Sequence, residues 1–275
     1  MKRLMKMRMT NYHTHTTRCK HAVNTDEEYV QAAIEAGYQV FGFADHCPWP
    51  YKNGFASNIR MDVEQLDEYL ESIARLKKKY ASQITLYAGL ECEYYPDYMD
   101  WLKKTLAEKP IDYVIFGSHH DLTDDGGMYF GGSNKPEHVR LYTQRTIEGM
   151  RTGVFAYLAH PDLVMRGYHQ FDDTCVEMAY AICRTAKEMD MPLEYNLTGV
   201  ENKRLTGLRW KGIGYPDDHF WQIAAELKCT AIIGLDSHRA DHVLETRDYE
   251  DAVAYLDGLG IHRVDTIRMN PAAAG

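Results

Sequence analysis

The sequence predicts an α/β protein whose parallel strands close, or nearly close, into a barrel. Three observations point there. Seven short apolar, β-branched or aromatic runs recur along the chain, most of them separated by helical patterns, which indicates βα units and a parallel sheet covered on both faces. Nearly every run ends in a polar side chain able to bind or react, and α/β sheets and barrels build their sites at C-terminal strand ends. An open, doubly wound sheet converges on one switch point, so polar ends on almost every strand suit a barrel better. The length of 275 residues fits one such domain. No repeat, low-complexity tract or boundary interrupts it, so residues 1–275 read as a single domain.

Taken in order, the first run leads into His13 and His15, followed by Thr25-Asp-Glu-Glu28, a capping box that opens a helix to about Ala36, stopped by Gly37. The second run, Val40–Ala44, ends in Asp45-His46. A loop of turn and aromatic residues follows (Pro48, Trp49, Pro50, Gly54, Ser57, Asn58), then Arg60 and Asp62, the N-cap of a charged helix to Tyr80. The third run, Ile84–Leu90, ends in Glu91-Cys-Glu93. The fourth, Ile111–Phe116, ends in Gly117-Ser-His119-His120, followed by a glycine-rich loop and a helix over Pro136–Met150. The fifth, Val154–Ala159, ends in His160-Pro-Asp162, and a helix over Asp173–Met189 leads to the sixth, Pro192–Asn196. An irregular segment, Leu197–Tyr215, precedes a helix near Asp217–Leu227. The seventh run, Thr230–Leu235, ends in Asp236-Ser-His238; a helix near Tyr249–Leu259 and a Pro-Ala-Ala-Ala-Gly tail complete the chain.

Composition narrows the function classes. With 40 acidic against 31 basic side chains the formal charge is −9, which argues against an extended nucleic-acid surface. It leaves room for an anionic substrate, because bound cations make a pocket locally positive. Six scattered cysteines with no C-x-x-C pair suggest a reducing compartment rather than a disulfide framework. The basic Met1–Met9 stretch lacks a secretory apolar core, and no segment approaches the roughly 20 apolar residues of a membrane span. A soluble cytoplasmic protein is expected.

His13 and His15 are two residues apart in an extended stretch, so both imidazoles face one side, as two nitrogen ligands of a divalent metal must. Alone that spacing says little. The set says more: of thirteen histidines, His13, His15, His21, His46, His119, His120, His160 and His238 lie at or just past strand ends, with Asp45, Glu91, Glu93, Glu194 and Asp236. These exceed the ligands one metal can use. A mixed histidine and carboxylate set suits zinc, manganese or iron(II), whereas magnesium or calcium prefers oxygen alone. Close-spaced cations suit phosphoester hydrolysis. Arg60, Arg166, Arg204 and Arg209 lie in loops beyond strand ends, where a guanidinium could grip phosphate, and the general acid is left open between Asp162 and a metal-bound water.

The pattern resembles the PHP (polymerase and histidinol phosphatase) superfamily. The resemblance rests on His13-Thr-His15, Cys-Lys-His21-Ala, Ala-Asp45-His46, Gly-Leu-Glu91, Gly-Ser-His-His120, Ala-His160-Pro-Asp, Glu194-Tyr-Asn196 and Asp236-Ser-His238, which span nearly the whole chain in order. It implies a distorted (β/α)7 barrel with a metal site at the C-terminal strand ends and three divalent ions (Zn, Mn or Fe). Carried over by position, His13, His15, Glu91 and Asp236 would hold the first ion. Glu91 would bridge to a second, also held by His120 and His160, and His21, His46 and His238 would hold the third. Of the adjacent His119 and His120, His120 keeps the motif's spacing from Gly117-Ser118. Glu91, His120, His160 and Asp236 would then carry catalysis.

The monofunctional histidinol-phosphate phosphatases of that superfamily look most similar. They imply a small phosphorylated metabolite, L-histidinol phosphate, as substrate, and a role in histidine biosynthesis. A phosphoesterase acting on nucleotides or oligonucleotide ends is the alternative reaction, and a non-catalytic metal-binding module the alternative of another class.

Overall fold

The structure is a computed structural model that describes residues 9–206 and 211–270; the basic stretch before Met9, Arg209 and the C-terminal tail lie outside them. Four parallel strands, β1 (Thr10–Asn11), β2 (Val40–His46), β3 (Thr85–Cys92) and β4 (Tyr113–Phe116), form one sheet in that order. Three more, β5 (Leu193–Asn196), β6 (Thr230–Gly234) and β7 (His262–Arg263), form a second parallel sheet. Around them run α1 (Asp26–Ala36), α2 (Leu66–Lys79), α3 (Met99–Glu108), α4 (Pro136–Met150) and α5 (Asp173–Glu188). The C-terminal part adds α6 (Leu197–Thr206), α7 (Asp218–Glu226), α8 (Ala240–Leu244) and α9 (Thr246–Gly258).

Two seams join the sheets into a distorted barrel. On one side the fifth apolar run is extended but forms only isolated bridges, Phe116 with Leu158 and Leu158 with Leu193. Its backbone bonds still link both sheets: Phe116 N–H donates to Tyr157 O at 3.0 Å, and Glu194 N–H to Leu158 O at 2.9 Å. On the other side Thr14 bridges Ser237, and His15 N–H donates to Ser237 O at 2.9 Å.

Strand alternation sorts the core into two layers. Phe41 and Phe43 of β2, and Leu86, Ala88 and Leu90 of β3, face the helices in the large outer core. Val40 and Ala44 share the barrel interior with Tyr12, Tyr113, Ile115, Tyr157 and Ile232. The Tyr113 hydroxyl donates to Tyr12 O or Phe43 O, which lie 2.8 and 2.9 Å from it.

The capping box forms as expected, with Thr25 and Glu28 bonded reciprocally and Gly37 closing α1 at φ 90°. Three expectations need correction. The segment after Asn196 is not irregular throughout: it opens with α6, nucleated where Asn196 Oδ1 accepts the Gly199 N–H at 2.8 Å. The fifth run falls short of a continuous strand. The last strand, β7, belongs to none of the seven expected runs and is too short to leave a period. Among the described residues no helix is long and apolar enough to cross a membrane.

Candidate metal centre

Alternation along the strands brings the polar ends together. Gly89 and Glu91 follow the inward register of β3, and Glu194 and Asn196 that of β5. On β4 the inward set runs Tyr113, Ile115 and, past the strand end, Gly117 and His119. Two glycines give the carboxylates room: a Cβ at Gly117 would collide with the Glu91 carboxylate and the His119 ring, and one at Gly234 with the Glu194 carboxylate.

Glu91 lies at the middle. Its Oε1 is 2.8 Å from His160 Nε2 and 3.3 Å from His119 Nε2. Its Oε2 is 3.0 Å from His46 Nδ1, 3.5 Å from His13 Nε2 and 3.6 Å from His15 Nε2. Asp236 Oδ1 closes the same space, 3.1 Å from His15 Nε2 and 3.5 Å from His13 Nε2. Ligand atoms held about 2.1 Å from one ion stand about 3.0–3.4 Å from each other. The buried His13 Nε2 has no hydrogen-bond partner among the described residues, which hydrogen bonding alone would not favour. The donor set fits divalent metal ions.

A further group opens toward solvent. His21 Nε2 and His238 Nε2 are 3.0 Å apart, and the His15 ring lies 4.1 Å from that of His238 and 4.3 Å from that of His46. Each outer imidazole is aimed by its own backbone: His21 Nδ1–H donates to Cys19 O at 2.7 Å and His238 Nδ1–H to Asp236 O at 3.0 Å. Metal-capable groups of mutually close donors include His13/Glu91/His160, His13/His15/Asp236 and His15/His46/His238.

Other carboxylates orient these donors. Glu194 Oε1 accepts from His13 Nδ1 at 2.8 Å, and Oε2 from the His160 backbone N–H at 3.1 Å. Asp45 Oδ1 stands 3.5 Å from His15 Nδ1, and its carboxylate also accepts from the Thr16 hydroxyl and backbone N–H and from the His46 N–H. Both His160 (φ 29°) and Asp236 (φ 53°) have left-handed backbones, and strain of that kind concentrates at functional sites.

The electrostatics match a cation site. Burial alone would raise the Glu91 carboxyl, but His119, His13 and His46 outweigh it and hold it well below the usual range. Burial would lower His15 and His119; instead Asp236 and Asp45 raise His15 to about 9, and Glu91 and Glu93 raise His119 to about 10. His46 goes the other way, to about 4, through burial and the neighbouring His15.

Beside the cluster lies a cavity of about 670 Å³, lined also by His120, Tyr129, Arg166, Thr198, Asn202 and Tyr215. The expected ligand His120 is there rather than at Glu91. His119 takes the place beside Glu91 and His160, because it continues the inward alternation of β4, whereas His120 faces the Tyr129 ring at 5.4 Å. Of the expected phosphate-binding arginines, Arg166 lines the cavity, its guanidinium 5.3 Å from the Tyr129 ring centre. Arg60 does not: it is buried and bound to Glu93 and Asp124. Arg204 is half exposed and pairs with Asp248 at 2.9 Å. Arg209 lies outside the described residues. Asp162 is pushed up to about 7 by burial, but its Oδ2 accepts the Asp217 N–H at the start of α7, so it does not face the cavity as a general acid. Tyr129, Thr198, Asn202 and Tyr215 carried no signal of their own in the sequence.

Comparison with known proteins matches the geometry. The PHP domain model matches residues 11–198. A Deinococcus radiodurans protein named "Probable histidinol-phosphatase" is 30% identical over 259 residues, covering 86% of this chain and 92% of that one. The histidinol-phosphatase of Bacillus subtilis is 23% identical over 266 residues, covering 86% of this chain and 96% of its own. The fold is shared with the crystal structure of histidinol phosphate phosphatase from Lactococcus lactis, complexed with zinc, L-histidinol and phosphate. That match has a TM-score of 0.69 at 21% identity, over 94% of this chain and 98% of the other.

Proposed function

Because the chain belongs to the PHP domain family, we propose that it is a metal-dependent phosphomonoester hydrolase that converts L-histidinol phosphate to L-histidinol and phosphate, within the cytoplasmic synthesis of histidine. The observation that carries this reading is Glu91, whose two carboxylate oxygens face different sets of imidazoles, as a carboxylate shared between ions must. The relatives named as histidinol-phosphatases, which match over most of their own length, support the substrate.

Three sets of side chains would hold three divalent ions of zinc, manganese or iron. His13, His15, Glu91 and Asp236 form the first, Glu91, His119 and His160 the second, and His21, His46 and His238 the third. When bound, such ions neutralise phosphate oxygens, lower the pKa of water and stabilise the departing oxygen. The chain's own residues do the rest. Glu194 and the backbone carbonyls of Cys19 and Asp236 fix the ring orientations of His13, His21 and His238. Arg166, held against Tyr129 in the lining of the cavity, would present a guanidinium to the phosphate. The cavity accommodates a leaving group the size of an amino alcohol carrying a small ring, against His120, Tyr129 and Tyr215.

The test is phosphate release from L-histidinol phosphate, nucleoside monophosphates and a sugar phosphate by metal-replete protein. A clear preference for L-histidinol phosphate is expected. Equal, weak rates on all three would refute the assigned substrate, and no release from any would refute the phosphatase reading itself.

A further inference from the structure

Arg60 is one of the largest side chains in the protein to be fully buried. A buried guanidinium persists only when its donors are met. Its Nη1 donates to Cys47 O at 2.9 Å and to Glu93 Oε2 at 3.1 Å, and its Nη2 to Glu93 Oε1 at 2.9 Å. Its Nε reaches Asp124 Oδ2 at 3.3 Å. The Trp49 indole N–H adds a bond to Glu93 Oε2 at 2.8 Å.

Glu93 does not end the chain of contacts. Its Oε1 also accepts from His119 Nδ1 at 3.0 Å, which turns His119 Nε2 toward Glu91 Oε1 and His160 Nε2, each 3.3 Å away. At the other end Asp124 accepts from the hydroxyls of Tyr51 and Ser57. A continuous path, Asp124–Arg60–Glu93–His119, buried at Arg60 and Glu93, therefore runs from the loop after β4, through the loop after β2, to the end of β3 and into the metal centre. An ion pair needed only for packing would have no reason to present one of its carboxylate oxygens to a ring at the centre.

We propose that Glu93 and Arg60 are positioning residues for the metal centre. Glu93 fixes the ring of His119 so that Nε2 faces the space between Glu91 and His160, and Arg60 fixes Glu93. The second metal set is then complete only when the loops at residues 47–62 and 121–128 are docked on each other through Asp124. The inference rests on the reading of the cluster as a metal centre, with His119 as a ligand. It goes beyond the assigned reaction, which does not require that the loops walling the cavity also control occupancy of a metal site.

The experiment is metal titration of chelator-stripped full-length protein, wild type against Glu93→Gln, Arg60→Lys and Asp124→Asn, by competition with a metal indicator and elemental analysis. Loss of a residue that orients a ligand typically weakens metal binding about 10–100-fold. Glu93→Gln is expected to weaken one metal equivalent by that order and leave the others unchanged. Arg60→Lys and Asp124→Asn should weaken the same equivalent by less. In turnover assays the same variants should lose kcat with KM little changed, and excess metal should restore kcat, which a general loosening of the fold would not allow. Should Glu93→Gln fail to fold, Asp124→Asn at the outer end of the path decides the matter. Folded variants with wild-type affinity and stoichiometry would overturn the inference. Because metal binding is read without substrate, failure of the histidinol-phosphate assignment shows separately, as metal-replete wild-type protein inactive on that substrate.

Discussion

Glu194 Oε1 accepts the His13 Nδ1–H at 2.8 Å, which leaves His13 Nε2 as the free nitrogen of a ring buried completely beside Glu91 and Asp236. The carboxylate thus chooses the tautomer, and the tautomer chooses which nitrogen faces the metal. Glu194→Gln should weaken metal binding about 10–100-fold and lower kcat in proportion. Calorimetric titration with zinc checks this; unchanged affinity would mean that His13 is oriented by packing alone.

His119 and His120 separate metal binding from substrate binding. His119→Ala should lower bound metal and hydrolysis together. His120→Ala should keep wild-type metal content and alter KM, because its ring lines the cavity beside Tyr129 rather than meeting Glu91. Elemental analysis beside steady-state kinetics decides it, and metal loss in His120→Ala with retention in His119→Ala would reverse the assignment.

Among the arginines, Arg166→Ala should lower kcat/KM by about 10–100-fold, the equivalent of one charge-assisted hydrogen bond of roughly 1.5–3 kcal/mol. Arg204→Ala should leave catalysis unchanged, since its guanidinium is half exposed and engaged with Asp248. Equal effects from the two substitutions would contradict the placement of the phosphate at the Tyr129 wall.

Metal binding should release protons. In the metal-free protein His15 is raised to about 9 and His119 to about 10, so both rings are protonated at pH 7 and must lose a proton to become ligands. Affinity should therefore rise with pH from 7 toward 9–10. Calorimetric titrations in buffers of different ionisation enthalpy should show net proton release at pH 7; an enthalpy independent of buffer would contradict it.

Much of this architecture was legible because polar residues interrupt apolar runs at places fixed by a period of two. Glu91 lies in register with Gly89 and turns inward with it, so the end of β3 marks a candidate ligand in the sequence itself. The same rule, extended through Tyr113, Ile115 and Gly117, places His119 beside Glu91 and His160, where spacing within a motif pointed instead to His120. Arg60 looked like a phosphate ligand because it follows a strand in sequence. Its fate is set by Glu93 and Asp124, which reach it from two other loops, and no local pattern encodes such a meeting. The start of α6 was hidden for a similar reason: Asn196, Thr198 and Gly199 weaken any helical period, and the side chain of Asn196 caps the turn. Tyr129 and Tyr215 become cavity walls only through tertiary packing.

The most direct test of the account is kcat/KM for L-histidinol phosphate measured on the protein as isolated, after chelation, and after restoring divalent metal. The account predicts a value in the range of about 10⁴–10⁸ M⁻¹s⁻¹ for the metal-replete protein, its loss on chelation, and its recovery with metal. Full activity in protein shown by elemental analysis to be metal-free would contradict it.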